Sequence, residues 1–540
     1  MSRGLGDVYK RQAFGAITIP LAGGAVALAS CTSTSTTDLS TTAAAQYWVN
    51  FLDQNHGRWT GNISNFTDVK SDNTGLTNTT SYQVKNPLTT TVSGSKTNNF
   101  GSYHAYLWLV DTITKMGYTN HTESVSRPSE ATINAANGTT SRIQAQSGTT
   151  KFTKSNRAVD SSGNVTRGER SVIYKDPNTS DAALMYKTGL VTQGFLWSGN
   201  DRANSVAETF NNVGSNLIVT INPDETKENT TDPYDFWIVS HYDSTAKTGT
   251  GQSQASWGAT DNATSVAVNL ALLKYFSDAS NRAKLKTRLH IVFADAEEVG
   301  VLGSNALVKQ FLDASADSST NYPLLASTWG MVNMDTVAGG DFMYVHSSTA
   351  GTGNKSTAIR DALNSVSKSI ANTKGDSTYE LAIHKQYHYK EVLSDDYDMP
   401  EGETGDWSDH APFYQIGKIP VAYFESTNFA QESKTEYENT GRGVFDGYSQ
   451  TSNKYAWITW DHVPVEMVQT TDLNGQTIWV LPDGYTLSDF LIGGDIWHSD
   501  IDTPNWLKEY IGYNKIFKQL DACYQTLIEY LTTVTPAFNK

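Results

Sequence analysis

Apolar positions at helical spacing run from Ala45 to Gln54 and again from Tyr103 to Met116, separated by long polar stretches rich in Asn, Thr and Ser. Residues 120–180 show no clear period, and the region 120–200 reads as a candidate cap or inserted lobe. From Asn216 the pattern changes. Short apolar runs (NLIVTIN, DFWIVSHYD, RLHIVFAD) alternate with amphipathic segments, one of which carries Val266, Leu270 and Leu273 on a single helical face. Further runs at 329–335 (WGMVNMD), 341–347 (DFMYVHS) and 419–426 (IPVAYFES) predict strands, with helices near 302–314, 355–370 and 506–533. Strands that alternate with helices need crossover connections. The expected fold class is therefore α/β: a mixed, largely parallel β-sheet sandwiched by helices, with long insertions. In such sheets a site gathers beyond the carboxyl ends of the strands. No internal repeat is visible.

The amino-terminal end changes the picture of where this fold works. Ala13 to Ser30 is uncharged, small and apolar, follows Lys10 and Arg11, and fits an export segment better than a membrane span. It ends in Leu28-Ala29-Ser30-Cys31, which resembles a bacterial lipobox and marks Cys31 as the expected lipid anchor. Residues 1–30 thus read as a signal peptide with lipobox, 31–45 as a Ser/Thr-rich tether, and 46–540 as the working domain. The expectation is an exported cell-surface or periplasmic lipoprotein, otherwise a secreted protein, touching a membrane only through Cys31.

Charge narrows the partners. Lys and Arg number 40 against 56 Asp and Glu, a net charge of −16. Removing residues 1–30 takes away Arg3, Lys10, Arg11 and Asp7 and leaves −18. An acidic body without a basic block predicts no nucleic-acid partner. With 13 Trp and 27 Tyr the chain also has the aromatic content of a packed protein rather than a disordered polyelectrolyte. Of two cysteines, Cys523 shares a helical apolar face with Ile516, Leu520, Leu527 and Leu531 and reads as core, with no disulfide.

The strand ends carry the candidate chemistry. His241 and Asp243 stand at i and i+2 just past DFWIVS, and Asp261 lies in GATDN before a helix. Glu297 and Glu298 follow HIVFA, Asp335 ends WGMVNMD, and His498 comes much later in IWHSDIDT. Two histidines with several carboxylates form a ligand set that suits zinc, with Co2+ and Mn2+ as alternatives. Each residue alone has a plainer role, an Asp before a helix as a cap or a Glu pair as solvated surface. Their order is what points to a site: H-x-D, GATDN, EE-x-G-x-x-GS, NMD, SDH-x-x-F and H-x-x-x-DT.

That order resembles the co-catalytic di-zinc aminopeptidase family of secreted bacterial leucyl aminopeptidases, related to glutamate carboxypeptidases and glutaminyl cyclases. The matching motifs lie between His241 and Thr503, with residues 206–428 and 494–535 following the family order. The resemblance implies two Zn2+ ions, with His241 and Asp335 on one, Glu298 and His498 on the other, and Asp261 bridging. It implies Glu297 as general base and peptide substrates cleaved at the amino terminus. Asp243 is placed to accept the second ring N–H of His241, and Asp502 to do the same for His498. His410 in SDH-x-x-F is expected to support the pocket rather than bind metal. Relatives often carry an oxyanion-stabilising tyrosine shortly before this motif; here Trp407 precedes it and Tyr397 stands further back, leaving that donor unassigned. The segment 429–493 is a long insertion for this family and a candidate pocket wall. Alternative activities on the same fold are a glutaminyl cyclase and a carboxypeptidase or dipeptidase; a third alternative is a binding lipoprotein without catalysis.

Overall fold

A computed structural model describes residues 42–55, 58, 102–121, 143–144, 151–154, 172–175, 179–198, 210–227, 234–248, 251–254, 256–314, 323–348, 354–384, 387–388, 398–399, 401–427, 457–459, 463–471, 477–480, 482–485, 489–493, 496–499 and 501–535. All of them lie within one compact unit, Leu39–Lys540. The leader, the lipobox cysteine, most of the tether and residues 429–456 of the insertion lie outside them. Among the described residues no helix is long and apolar enough to cross a membrane.

Eleven strands form one sheet: β1 (Ile143–Gln144), β2 (Lys151–Lys154), β3 (Val172–Lys175), β4 (Gly189–Ser198), β5 (Phe210–Ile221), β6 (Asp235–His241), β7 (Arg288–Ala294), β8 (Thr328–Met334), β9 (Phe342–Ser347), β10 (Leu381–Ala382) and β11 (Val421–Thr427). Their spatial order is β1-β2-β3-β4-β5-β7-β6-β8-β11-β9-β10. The centre, β7-β6-β8-β11, is parallel. On one side β5 turns antiparallel to β7, and on the other β9 runs antiparallel to β11. The mixed α/β sheet expected from the sequence is thus present, with parallel pairing concentrated where the candidate ligands cluster.

Successive residues of the central strands face opposite cores, as a period of two requires. Phe236 and Ile238 join one cluster and Trp237 and Val239 the other. The first core is built with α1 (Ala43–Gln54), α2 (Ser102–Lys115), α3 (Ala263–Phe276), α5 (Asn354–Lys374) and α8 (Tyr513–Thr533). The second is covered by α4 (Leu302–Phe311) and α6 (His410–Gln415), and α7 (Pro504–Tyr510) precedes α8. Helix α3, read from the sequence as amphipathic, is buried along almost its whole length because α1 and α8 pack over it, so that Thr264, Ser265 and Asn269 are buried along with its apolar residues. Each fully buried Leu or Val there stabilises the fold by about 1.5–3 kcal/mol relative to exposure.

Three expectations are refined. The region 120–200 is not a separate lobe in its described parts: β1 to β4 extend the central sheet. The helix read over 506–533 is two helices, α7 and α8, divided at Gly512, whose φ of 89° no ordinary helical residue adopts. The insertion 429–493 contributes a small sheet of Trp457–Thr459, Pro464–Val465 and Phe490–Gly493, anchored by Ile458 in the main core, and a hairpin of Val468–Thr471 with Thr477–Val480. Cys523 is buried on α8 in the main core, as its spacing predicts.

Candidate metal centre

The loops after β6, β7 and β8 converge beyond the carboxyl edge of the parallel strands. His241 closes β6, Glu297 and Glu298 open the tight turn that follows β7, and Asp335 follows β8. The β7 turn explains the spacing of EE-x-G-x-x-GS. Gly300 takes φ 124°, and a Cβ on Gly303 would lie 2.2 Å from the Asp295 carbonyl oxygen and 2.4 Å from Asn216 Oδ1. Ala296, Thr336 and His498, none of them glycine, hold positive φ of 60°, 52° and 54° beside the candidate ligands. Such strained conformations persist only where surroundings impose them.

The ligand candidates divide into two halves joined by one carboxylate. His241 Nε2 lies 3.2 Å from Asp261 Oδ1 and 3.3 Å from Asp335 Oδ1. His498 Nε2 lies 2.8 Å from Glu298 Oε2 and 3.3 Å from Asp261 Oδ2. Each outer carboxylate turns its second oxygen to a fixed donor: Asp335 Oδ2 accepts from Ser408 Oγ at 2.8 Å, and Glu298 Oε1 from the Thr245 N–H at 3.1 Å. His241 Nδ1 donates to the Asp243 carbonyl oxygen at 3.1 Å, with the Asp243 carboxylate 3.5 Å away. That leaves Nε2 facing inward, toward Asp261 and Asp335. His241 is 1% exposed while the His498 and Asp335 side chains are 17% and 13% exposed, so the site opens to solvent past the latter two.

This donor set fits a metal. Imidazole nitrogens and carboxylate oxygens converge there, and His241, Asp261 and Glu298 can offer ligand atoms all within 4.8 Å of one another, where a divalent cation could take the place of the shared protons. The electrostatics ask for positive charge. Burial alone would lower the His241 pKa, yet Asp335 and the hydrogen bonds to Asp243, Asp261 and Asp335 raise it well above its ordinary value. Burial, reinforced by Asp261, pushes the Glu298 carboxyl far up; burial does the same for half-buried Glu297, against the opposing charge of His241. For Asp335, burial would raise the pKa, but His241 and the Ser408 hydroxyl bring it below the ordinary value. A bound divalent cation would relieve the same repulsion.

One supporting residue departs from expectation and another does more than expected, for the Asp243 carboxylate faces His241 Nδ1 as the sequence implies and has a second task. The Asp243 carboxylate accepts from the backbone N–H groups of Glu297 and Glu298, both at 3.2 Å, so it sets the β7 turn while its own carbonyl orients His241. Asp502 turns both oxygens to the Thr260 and Asp261 N–H groups at 2.8–3.1 Å, steering Asp261 where it was expected to orient His498. His410 is buried, with Nε2 2.6 Å from the Gly405 carbonyl oxygen and its ring 4.8 Å from Tyr423, in the supporting role expected of it. Burial lowers its pKa to about 4. Tyr397 lies outside the described residues.

Sequence reasoning missed the residues that hold the loops. Asp295 accepts from the Ser215 and Ala296 N–H groups, and Asn216 bonds the Asp295 N–H, Gln193 and the Gly303 carbonyl. The Asn262 side chain bridges Met334 and Thr336 across the Asp335 strand end. Only the acidic residue directly after RLHIVFA gave a signal for any of these.

Comparison with known proteins agrees with the motif reading. Residues 216–457 match the family model described as peptidase family M28. No curated protein matches the chain. Among solved structures, the chain is similar to BSAP, a zinc aminopeptidase from Bacillus subtilis, at 16% identity and TM-score 0.32, covering 61% of this chain and 52% of that one. The alignment therefore spans about half of that protein's length. It is similar to a leucine aminopeptidase precursor from Bacteroides thetaiotaomicron at 13% identity and TM-score 0.34, covering 67% and 91% of the two chains. It is also similar to a glutaminyl cyclase from Bacteroides thetaiotaomicron, bound to N-acetylhistamine, at 13% identity and TM-score 0.33, covering 67% and 92%.

Proposed function

We propose, from the match of residues 216–457 to peptidase family M28, that the chain is a two-metal exopeptidase releasing amino-terminal residues from peptides outside the cytoplasm. The observation that carries this reading is the division of Asp261, one oxygen toward His241 and the other toward His498. His241 and Asp335 would hold one zinc ion, Glu298 and His498 the other, and Asp261 both. Bound metal ions polarise a scissile carbonyl and make water acidic enough to attack near neutral pH.

The remaining work falls to the chain's own groups. Asp243 fixes the backbone of the Glu297–Glu298 pair, so that one side chain serves the metal half-site and its neighbour stays apart from it. Glu297 takes a proton from the attacking water and gives it to the departing amine nitrogen. Ser408 and the Thr245 N–H keep Asp335 and Glu298 from turning away. The export segment and the lipobox at Cys31 read from the sequence would carry this activity to the cell surface or periplasm or, without the anchor, outside the cell.

The test is turnover by the purified protein on unblocked and amino-blocked aminoacyl anilides and on a glutaminyl peptide, before and after chelation and zinc restoration. Zinc-restored cleavage of unblocked substrates alone is expected. Ammonia release from the glutaminyl peptide alone, or cleavage only from the carboxyl end, overturns the aminopeptidase reading.

A further inference from the structure

Two arginines in the described fold are completely buried, and one of them, Arg58, lies directly behind the candidate metal centre. It comes from a segment well before the stretch that matches the peptidase family. Its guanidinium meets backbone carbonyls from three places: Nε donates to Tyr242 O at 2.6 Å, one terminal nitrogen to Gly258 O at 3.0 Å, and the other to Trp257 O and, at 3.5 Å, Asn55 O. Its own backbone closes the contact, with Arg58 N–H donating to Ser244 Oγ at 2.9 Å and Ser244 N–H to Arg58 O at 3.2 Å.

The bonded segments are those that carry ligands. Tyr242 directly follows His241, and Trp257 and Gly258 lead into Asp261. Gly258 sits at φ 53° so close to Arg58 that a Cβ would lie 2.6 Å from the guanidinium and 2.2 Å from the Asp261 carbonyl oxygen. The loop is clasped from other sides as well: Trp48 Nε1 on α1 donates to Ala259 O at 2.7 Å, while Asp502 accepts from the N–H groups of Thr260 and Asp261. A planar fork of donors is suited to this task, because it fixes several carbonyls in one plane where an ammonium would hold a point. Its charge faces Asp502, Asp261, Asp243 and Glu298; although burial lowers the Arg58 pKa to about 10, these acids oppose the fall and the group stays charged at neutral pH.

We propose that Arg58 is a positioning residue of the metal centre, setting the separation of the His241 and Asp261 loops and so the affinity with which the two half-sites hold their ions. The inference rests on the two-metal reading above. Arg58 touches no ligand atom of that site; it acts through the backbone that presents His241 and Asp261.

The experiment is cobalt binding by the full chain, read from the d–d absorption of the folded protein during titration with a chelator, for wild type, Arg58→Lys, Arg58→Met and Arg288→Met. Arg288 is the other fully buried arginine and pairs with Asp235 at the opposite end of the strands, so its variant reports what losing a buried arginine away from the site does to the fold. Wild type is expected to bind two equivalents. Arg58→Met should release cobalt at chelator concentrations about 10- to 100-fold lower, with an altered spectrum and Arg58→Lys between the two. Arg288→Met should melt at lower temperature but hold cobalt as wild type does. If folded Arg58→Met or Arg58→Lys holds both ions with wild-type affinity and spectrum, Arg58 is only structural and the inference fails by itself. If wild type binds no stoichiometric cobalt, the two-metal reading fails and takes the inference with it.

Discussion

The parallel strands β6, β7 and β8 carry a buried charged cluster at each end, and the two clusters are built differently. At the amino ends, Asp235 Oδ1 receives Arg288 at 3.1 Å and His290 Nε2 at 2.9 Å, and its other oxygen receives the Ser327 hydroxyl. His290 Nδ1 meets Thr220 at 3.0 Å, and Trp237 stacks on the imidazole at 4.1 Å. Acid and base are matched there and sealed from water. At the carboxyl ends, Asp261, Glu298 and Asp335 face two imidazoles, and the arginine nearby is bonded to carbonyls instead of to the acids. The first arrangement completes itself within the chain. The second holds more negative charge than its protein partners neutralise, which is the condition for recruiting a cation.

Substitutions at each end should separate these roles. The largest effect is expected from Glu297→Gln, which should lower kcat by about 10²–10⁴-fold while leaving both metal ions bound, measured by turnover and metal content on one preparation. Near-wild-type turnover would remove Glu297 from the mechanism. At the other end, Asp235→Ala leaves Arg288 buried without its carboxylate and should cost about 3–5 kcal/mol in denaturant unfolding, with metal content per folded molecule unchanged. Loss of metal in that variant would show that the two clusters are coupled.

A pH experiment sharpens the contrast on the chelated protein. His410 is held neutral, donating through Nε2 to Gly405 O while Asn333 Nδ2 stands 3.4 Å from Nδ1. Its folded pKa of about 4 lies below the ordinary histidine value of 6.5. The unfolded chain therefore binds a proton that the folded chain refuses, so this stability is present above about pH 6.5 and falls as the pH drops toward 4. The expected loss is about 3 kcal/mol. His410→Gln should flatten the acid limb without abolishing it, because burial lowers the His290 pKa in the same direction. The smallest effect is expected from Ser408→Ala, which frees Asp335 Oδ2 and should weaken metal binding about tenfold in a chelator titration. No change would mean that Ser408, whose Oγ accepts from Asn333 Nδ2 at 2.8 Å, does not orient the ligand.

The carboxyl-end cluster was legible in the sequence because the buried central strands are nearly unbroken apolar runs, and a His or acid directly after such a run is conspicuous. DFWIVSH and RLHIVFADAEE place His241 and Glu298 without any knowledge of pairing. Strands β3 and β4 escaped because they lie toward one side of the sheet and mix polar with apolar residues; Thr192 and Gln193 are buried polar groups in β4 whose partners are distant in sequence. The roles of Asp243 and Asp502 were legible only in part. Residue type suggested that they orient histidines, but much of what they bind is backbone N–H, which no spacing of side chains records. Arg58 escaped for the same reason: its partners are carbonyls up to 200 positions away.

The central claim is that one carboxylate joins two metal half-sites, and the most direct measurement is metal stoichiometry of the purified full chain and its Asp261→Asn variant after equilibration with zinc. The account predicts two equivalents in the wild type and the loss of both in the variant, because both half-sites share the altered group. A wild-type chain holding one equivalent or none, or an Asp261→Asn chain that keeps two, would contradict it.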